Sequence, residues 1–313
     1  MDLKPLELVR EDLVQVDARM RDCVFPASAP VADSLERLLA GGKRLRPGLA
    51  LLFGRMLQAA EEPLFQFAAS VEIIHTATLI HDDLVDHSPV RRGVPSVNAR
   101  WSAGTAVLVG DFLFAWAARL VAETRSTAVV GRFADTLATI VDGEIRQITA
   151  GDACCGLAEY ESRIRSKTAA LFDVACMGPA LLREDAAAAE NASRFGDNFG
   201  MAFQIADDIL DFIGDSASTG KPSGQDLSQG LITLPAILFF QSRPEDPDAA
   251  AFRAGDRAPE LRARLFDAIR RSDAIEQCRQ NARGYIRRAC ESLAAFPDGR
   301  ERRGLETLVR SIV

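Results

Sequence analysis

A chain of 313 residues with 48% apolar content is long enough for one large or two modest domains with an ample core, and 22 glycines and 14 prolines are too few for a fibrous or disordered class. A net charge of −7 argues against a general nucleic-acid binder, and two Tyr and two Trp offer little for base stacking. Asp2, Glu7, Glu11 and Asp12 interrupt the start of the chain, so no signal peptide is expected.

Helical periodicity dominates from end to end, without sustained alternation of apolar and polar residues. Leu6, Val9, Leu13, Val16 and Met20 predict a first helix from about Pro5 to Cys23, broken by Phe25-Pro26 and Pro30. A second, over Val31 to Ala40, ends at Gly41-Gly42, and Pro47 suits the first turn of a third that runs to about Ala60. After Glu61-Glu62-Pro63 a long apolar helix is expected from near Leu64 to about Asp86, followed by a loop marked by Gly93, Pro95 and Gly104. Thr105 to Glu123 is strongly apolar but interrupted at Gly110-Asp111. Thr127 to Ala150 and Leu157 to Leu182 follow as helices parted at Gly151-Asp152, with Pro179 kinking or shortening the second. Ala186 to Phe212 is another, then a Gly/Ser/Pro loop runs from Gly214 to Gly230. Shorter helices follow Pro235, with breaks at Arg243 to Asp248 and Phe296 to Gly299. The expectation is an all-α fold, one domain over residues 1–313, with roughly ten to thirteen helices and no strand. The Arg-rich tail from Arg279 to Arg310 reads as a solvated helical face. The longest apolar run, Leu231 to Phe240, is about half a membrane span and contains Pro235, so no stable membrane insertion is expected.

Cys23, Cys154, Cys155, Cys176, Cys278 and Cys290 show no CxxC or Cys/His ligand spacing and read as reduced thiols of a cytoplasmic protein. Of 37 basic residues only Lys4, Lys43, Lys167 and Lys221 are lysine, which suggests that some of these positions need one; codon bias alone is the bland reading.

The chemistry concentrates between Val71 and Arg100, which holds all three histidines, the run Asp82-Asp83-x-x-Asp86 and the pair Arg91-Arg92. On a helix Asp82 and Asp86 share a face, and carboxylates this close repel unless a cation joins them. They form a candidate divalent-metal ledge, with Arg91-Arg92 a candidate anion clamp beyond it. His81 and His87 lie about 120° apart on a helix, which disfavours zinc. The DDxxD pattern returns at Asp207, Asp208 and Asp211, again inside a strongly apolar helix where carboxylates are expensive without cations. Two such runs facing one cavity would suit Mg²⁺ and a polyanionic ligand, most simply a diphosphate.

GGKRLRP (Gly41 to Pro47), IIHTATLIHDDLVD, RRGVPSVN, VLVGDFL, KTAALF (Lys167 to Phe172), FQIADDILD and GKPSGQDLSQG, in that order, resemble the trans-isoprenyl diphosphate synthases, most closely the long-chain group. The resemblance implies an isoprenoid synthase fold, with helices around a central cavity, usually as a homodimer. It implies a prenyltransferase that condenses an allylic diphosphate with isopentenyl diphosphate to give an all-trans polyprenyl diphosphate for quinone side chains. Asp82, Asp86 and Asp207 are then expected as metal ligands for three Mg²⁺ ions, replaceable by Mn²⁺. Asp83, Asp208 and Asp211 would hold metal-bound water or orient the ligands. Arg91, Lys167 and Lys221 would surround the allylic diphosphate, with Thr168 and Gln204 at its polar side. Lys43, Arg46, His75 and Arg92 would bind isopentenyl diphosphate. Arg44, between two of these, reads as a salt-bridge residue.

Two positions depart from the family pattern: Leu231 stands where a lysine is common after glycine, removing one cation near the allylic diphosphate, and Ser102 stands where glycine is common after Trp101. Product length is expected to depend on Ala77 and Thr78, one turn or so before Asp82, where small side chains leave a passage for the growing tail. Trp116, near Phe112 and Phe114, could instead stop the tail early, but packing is the expected role. The alternatives are a short-chain synthase such as a geranylgeranyl diphosphate synthase, a class I terpene cyclase, and a non-catalytic subunit of a heteromeric synthase. A cyclase would not need GGKRLRP and RRG for a second diphosphate, and a non-catalytic subunit typically loses one aspartate motif, whereas both are intact here.

Overall fold

The computed structural model describes residues 1–23, 32, 35–36, 41–91, 93–150, 156–214 and 224–313. After a 3₁₀ turn at Lys4–Val9 come α1 (Arg10–Arg21), α2 (Leu45–Met56) and α3 (Glu61–Val85). A two-residue antiparallel pair, β1 (Val90–Arg91) and β2 (Val94–Pro95), leads into α4 (Val97–Arg100), α5 (Ala103–Glu123) and α6 (Thr127–Ala150). The helix α7 (Leu157–Ile164) runs through a π turn (Arg165–Ala169) into α8 (Ala170–Leu182), followed by α9 (Ala186–Ile213) and α10 (Gln225–Ser228). The remainder comprises α11 (Leu234–Ser242), α12 (Pro247–Arg253), α13 (Pro259–Arg270), α14 (Ala274–Ser292) and, past a 3₁₀ turn, α15 (Arg300–Arg310).

The described residues thus hold fifteen α-helices, more than the ten to thirteen expected, because short segments such as α4 and α10 are helical turns that no periodicity reveals. The small β pair was also not expected. It pairs Val90 with Pro95 and Arg91 with Val94, with Gly93 at φ 78° in the turn, a conformation that suits glycine. Two helices run on past the expected breaker residues. α5 continues through Gly110, because the missing side chain makes room for the His81 ring: an added Cβ would lie 2.1 Å from its Nε2. α8 contains Pro179 and still ends only at Leu182.

Local chemistry explains the starts of the long helices. Glu61 and Glu62 place acidic charge at the positive end of the α3 dipole, and Pro63 lies in the first turn, where a missing N–H is tolerated. Ser102 caps α5 by accepting from the Thr105 N–H at 3.1 Å, and Asp185 caps α9 by accepting from Ala188 at 2.9 Å. α3 packs against α1, α2, α5 and α8; α9 packs against α8 and α14. Buried apolar residues from Leu6 to Val309 form one continuous cluster. Both α3 and α5 are long and apolar enough to cross a membrane, but 72% of the apolar window of α3 is buried inside the protein. The expected second helix, the break at Gly151-Asp152, Cys154, Cys155 and most of the loop before Gly224 lie outside the described residues.

Candidate active site

The two aspartate runs sit at the C-terminal ends of α3 and α9, and α8 with its preceding π turn lies between them. The π turn adds a residue to one helical turn and carries Lys167 and Thr168 into the gap. Lys167 Nζ lies 2.8 Å from Glu144 Oε1 on α6 and 3.6 Å from Asp82 Oδ1. Burial pushes Asp82 up to about 6; Lys167 opposes this, while Glu144 and Asp86 add to it. Burial works against the charge on Lys167, but Asp82 and Glu144 outweigh it and hold its pKa above the ordinary lysine value. Asp86 is exposed at the C-terminal cap of α3, its N–H donating to the Asp82 carbonyl at 2.8 Å. Asp83 points into the protein and accepts from Arg91 Nε at 2.6 Å, a pairing made possible because the β1–β2 turn folds Arg91 back over the helix end.

On α9, Asp207 is exposed and Asp208 is 3% exposed. Asp208 accepts from Tyr160 Oη at 2.6 Å and from Gln204 Nε2 at 2.8 Å, and Gln204 Oε1 accepts from Thr168 Oγ1 at 2.8 Å. Burial pushes Asp208 up to about 7 against these two hydrogen bonds. Asp211 turns toward α10, its two carboxylate oxygens accepting the Gln225 and Asp226 N–H groups at 3.1 and 3.2 Å. Asp226 is driven to about 8 by burial and by the neighbouring charges of Asp208, Asp211 and Asp207.

A cavity of about 410 Å³ joins the two halves. Asp86 of the first run and Asp208 of the second both line it, with Lys167, Thr168, Gln204, Asp226 and Leu231. Among the described residues no three His, Cys, Asp or Glu side chains are gathered into a ready-made cation site. The donor set nevertheless fits Mg²⁺: the acidic groups are oxygen ligands, shared between two helices, and held partly desolvated in excess of their cations.

The second expected anion site lies around the N-terminus of α2. Arg44, in the left-handed conformation with φ 49°, donates to Asp17 at 2.8 Å and reaches Glu72 at 3.4 Å, the salt-bridge role its position suggested. Arg46 lies over the Phe172 ring, 4.2 Å from its centroid, and its buried Nε has no hydrogen-bond partner. Burial pushes this guanidinium down to about 10, with Glu72 acting the other way. An orphaned N–H on a desolvated cation is a donor awaiting an anion. Lys43 is exposed just before α2, and His75 is half-buried one turn after Glu72. Arg92 and Lys221 lie outside the described residues. Ala77 is fully buried, and Thr78 donates its hydroxyl to the His75 carbonyl at 2.9 Å. Phe112 stacks on Trp116 with centroids 6.3 Å apart, both packed against the core.

Four residues of this site were passed over in the sequence: Glu144, Tyr160, Arg163 and Asp226. Tyr160, Arg163, Ile164, Lys167 and Thr168 all line the cavity at spacings of three or four, so the face containing Lys167 carried the signal for two of them. Asp226 stands in the GQDLSQG segment, between glycines that mark a loop. Glu144 had no local signal, being brought to Lys167 only by the packing of α6.

A helical shell that brings two DDxxD runs and a lysine around one cavity is the arrangement expected of a protein that takes a polyanion together with cations. The polyprenyl synthetase family model matches residues 29–266, and the chain belongs to this family. It is 36% identical over 312 residues to heptaprenyl diphosphate synthase component 2 of Geobacillus stearothermophilus, covering 97% of this chain and 96% of the relative. It is 34% identical over 306 residues to the all-trans-nonaprenyl-diphosphate synthase (geranyl-diphosphate specific) of Rhodobacter capsulatus, covering 96% and 94%. The crystal structure of a polyprenyl synthase from Caulobacter crescentus complexed with calcium and isoprenyl diphosphate superimposes with a TM-score of 0.91 at 33% identity, covering 99% of this chain and 97% of that one.

Proposed function

We propose that the protein is a prenyltransferase that joins an allylic diphosphate to isopentenyl diphosphate and repeats the step to a long-chain all-trans polyprenyl diphosphate. The observation that carries this reading is the shared cavity, lined by Asp86 from one aspartate run and Asp208 from the other, with Lys167 between α3 and α9. In the reaction the allylic C–O bond ionises, the carbocation adds to the isopentenyl double bond, and a proton leaves. Three Mg²⁺ ions, replaceable by Mn²⁺ and held chiefly by Asp82, Asp86 and Asp207, would neutralise the diphosphate as that bond breaks. Lys167 adds a fixed positive charge beside the same leaving group. The Thr168–Gln204–Asp208–Tyr160 chain orients the Asp208 carboxylate, and the backbone N–H groups of Gln225 and Asp226 orient Asp211. The orphaned N–H of Arg46 supports its assignment, with Lys43, His75 and Arg92, to the diphosphate of isopentenyl diphosphate. Apolar helix walls exclude water from the carbocation.

The homodimer expected of the family finds support in apolar side chains left exposed on adjacent helices: Val107 and Leu108 on α5, and Val130, Val141 and Ile145 on α6. A second reading, that the chain works with a partner subunit as one component of a two-subunit enzyme, is favoured by the "component 2" of its Geobacillus relative. Incubation of the purified chain with labelled isopentenyl diphosphate, farnesyl diphosphate and Mg²⁺, followed by product sizing, tests all of this. Long products from the chain alone are expected. No elongation, even with a partner subunit added, would overturn the synthase reading; products that stop at the geranylgeranyl stage would overturn the long-chain one.

A further inference from the structure

Arg163 is half-buried on α7, one turn before Lys167, and faces the same cavity. Lys167 and Arg163 are the two cationic side chains among the described residues that line it. Arg163 Nη2 donates to the Ile232 carbonyl at 2.7 Å, across 69 residues of sequence. This anchors the guanidinium against the backbone immediately beside Leu231, the position where a lysine would project. Thr233, 3% exposed, lines the same wall, and its Oγ1 has no hydrogen-bond partner. The bond to Ile232 fixes the position of the guanidinium, a planar group that stays charged at any working pH.

We propose that Arg163 supplies from α7 the positive charge that Leu231 withholds, and contacts the allylic diphosphate at the Leu231–Thr233 wall of the cavity. The proposal rests on the prenyltransferase reading and adds a residue to its substrate site. The charge then comes from the helical run that leads into the π turn of Lys167, so two cations one turn apart address one diphosphate. The carboxylate side of the cavity is thereby left to the metal ions.

Steady-state kinetics with farnesyl diphosphate, isopentenyl diphosphate and saturating Mg²⁺ provide the test. Wild-type elongation is measured first, so an inactive wild type would sink the synthase reading and be distinguished from a failure of this one. Arg163→Gln is expected to raise KM for farnesyl diphosphate about tenfold to a hundredfold, as loss of a charge-assisted contact does, and to leave KM for isopentenyl diphosphate unchanged. Adding Leu231→Lys to that variant is expected to recover most of the loss. An unchanged KM for farnesyl diphosphate in Arg163→Gln overturns the proposal, as does a double variant no better than the single one. A rise only in the Mg²⁺ concentration needed for half-maximal rate would also overturn it, because Arg163 would then merely balance Asp208 and Asp226. Should circular dichroism show that Arg163→Gln does not fold, Arg163→Lys carries the test. It keeps the charge but loses the forked donor, and should raise the same KM by a smaller factor; an unchanged KM overturns the proposal.

Discussion

Ala77 is fully buried on α3, five residues before Asp82, so a larger side chain there must displace its packing neighbours or enter the path proposed for the tail. Ala77→Phe is therefore expected to shorten the products, at a cost of about 1–3 kcal/mol in stability from overpacking. Chromatographic sizing and thermal unfolding read the two effects separately, and an unchanged length distribution would remove residue 77 from the path. The aspartates answer to a different physics. Asp82 beside Lys167 and Asp207 on the facing helix are assigned as metal ligands, so replacing either by Ala removes several kcal/mol of charge stabilisation. Elongation should fall by about a thousandfold or more in both variants, measured with labelled isopentenyl diphosphate, while their circular dichroism stays that of the wild type. Rates within tenfold of wild type would show that these carboxylates do not hold the ions.

The relative position of the two aspartate helices depends on how closely α8 and α9 approach. An added Cβ at Gly196 would lie 2.5 Å from the Phe172 carbonyl oxygen and 2.7 Å from Asp173 Cα, and one at Gly200 would lie 2.5 Å from Ala169 Cα. These are backbone atoms, which cannot swing aside as a side-chain tip would. Gly196→Ala and Gly200→Ala should each force the helices apart and cost about 1–3 kcal/mol, with the stronger effect on activity at Gly200, nearer Thr168 and Gln204. Melting temperature and kcat measured together check this, and full stability in either variant would refute the close approach. The long apolar helices and their DDxxD ends were legible in the sequence because both repeat with the helical period over many residues. The π turn was not, since a single inserted residue at Arg165–Ala169 leaves the apolar pattern on either side intact. The short β pair escaped for a similar reason: its two-residue strands are too brief for alternation to register. Beside Arg92 in the sequence, Arg91 looks like a clamp for substrate alone, and its bond to Asp83 exists only because the turn at Gly93 reverses the chain. Glu144 became visible only through tertiary packing.

Taken over the whole molecule, three partly desolvated carboxylates stand in or beside a cavity whose acidic lining outnumbers its cations among the described residues, and this makes the fold itself sensitive to protons. Asp226, Asp208 and Asp82 are raised to about 8, about 7 and about 6, chiefly by burial, whereas the same groups titrate in the ordinary carboxylate range when the chain unfolds. Between those ranges the native protein binds more protons than the unfolded one, so stability falls as pH rises. The contribution is complete below the unfolded values and is lost as pH climbs through the three folded ones. In EDTA the melting temperature should therefore be higher at about pH 5.5 than at about pH 8, opposite to a protein held by ion-paired carboxylates. Exposed ion pairs such as Asp248–Arg264, whose carboxylate is held low by the guanidinium, act in the other direction but only at more acidic pH. Cations that bind these carboxylates compete with the protons. Mg²⁺ with inorganic pyrophosphate should raise the melting temperature more at about pH 8 than at about pH 5.5, because ligand that binds only the native state stabilises by mass action where the site is ionised. A melting temperature that drops on acidification from pH 8 in EDTA, or a Mg²⁺-pyrophosphate increment independent of pH, would show that the charge imbalance in the cavity does not govern stability.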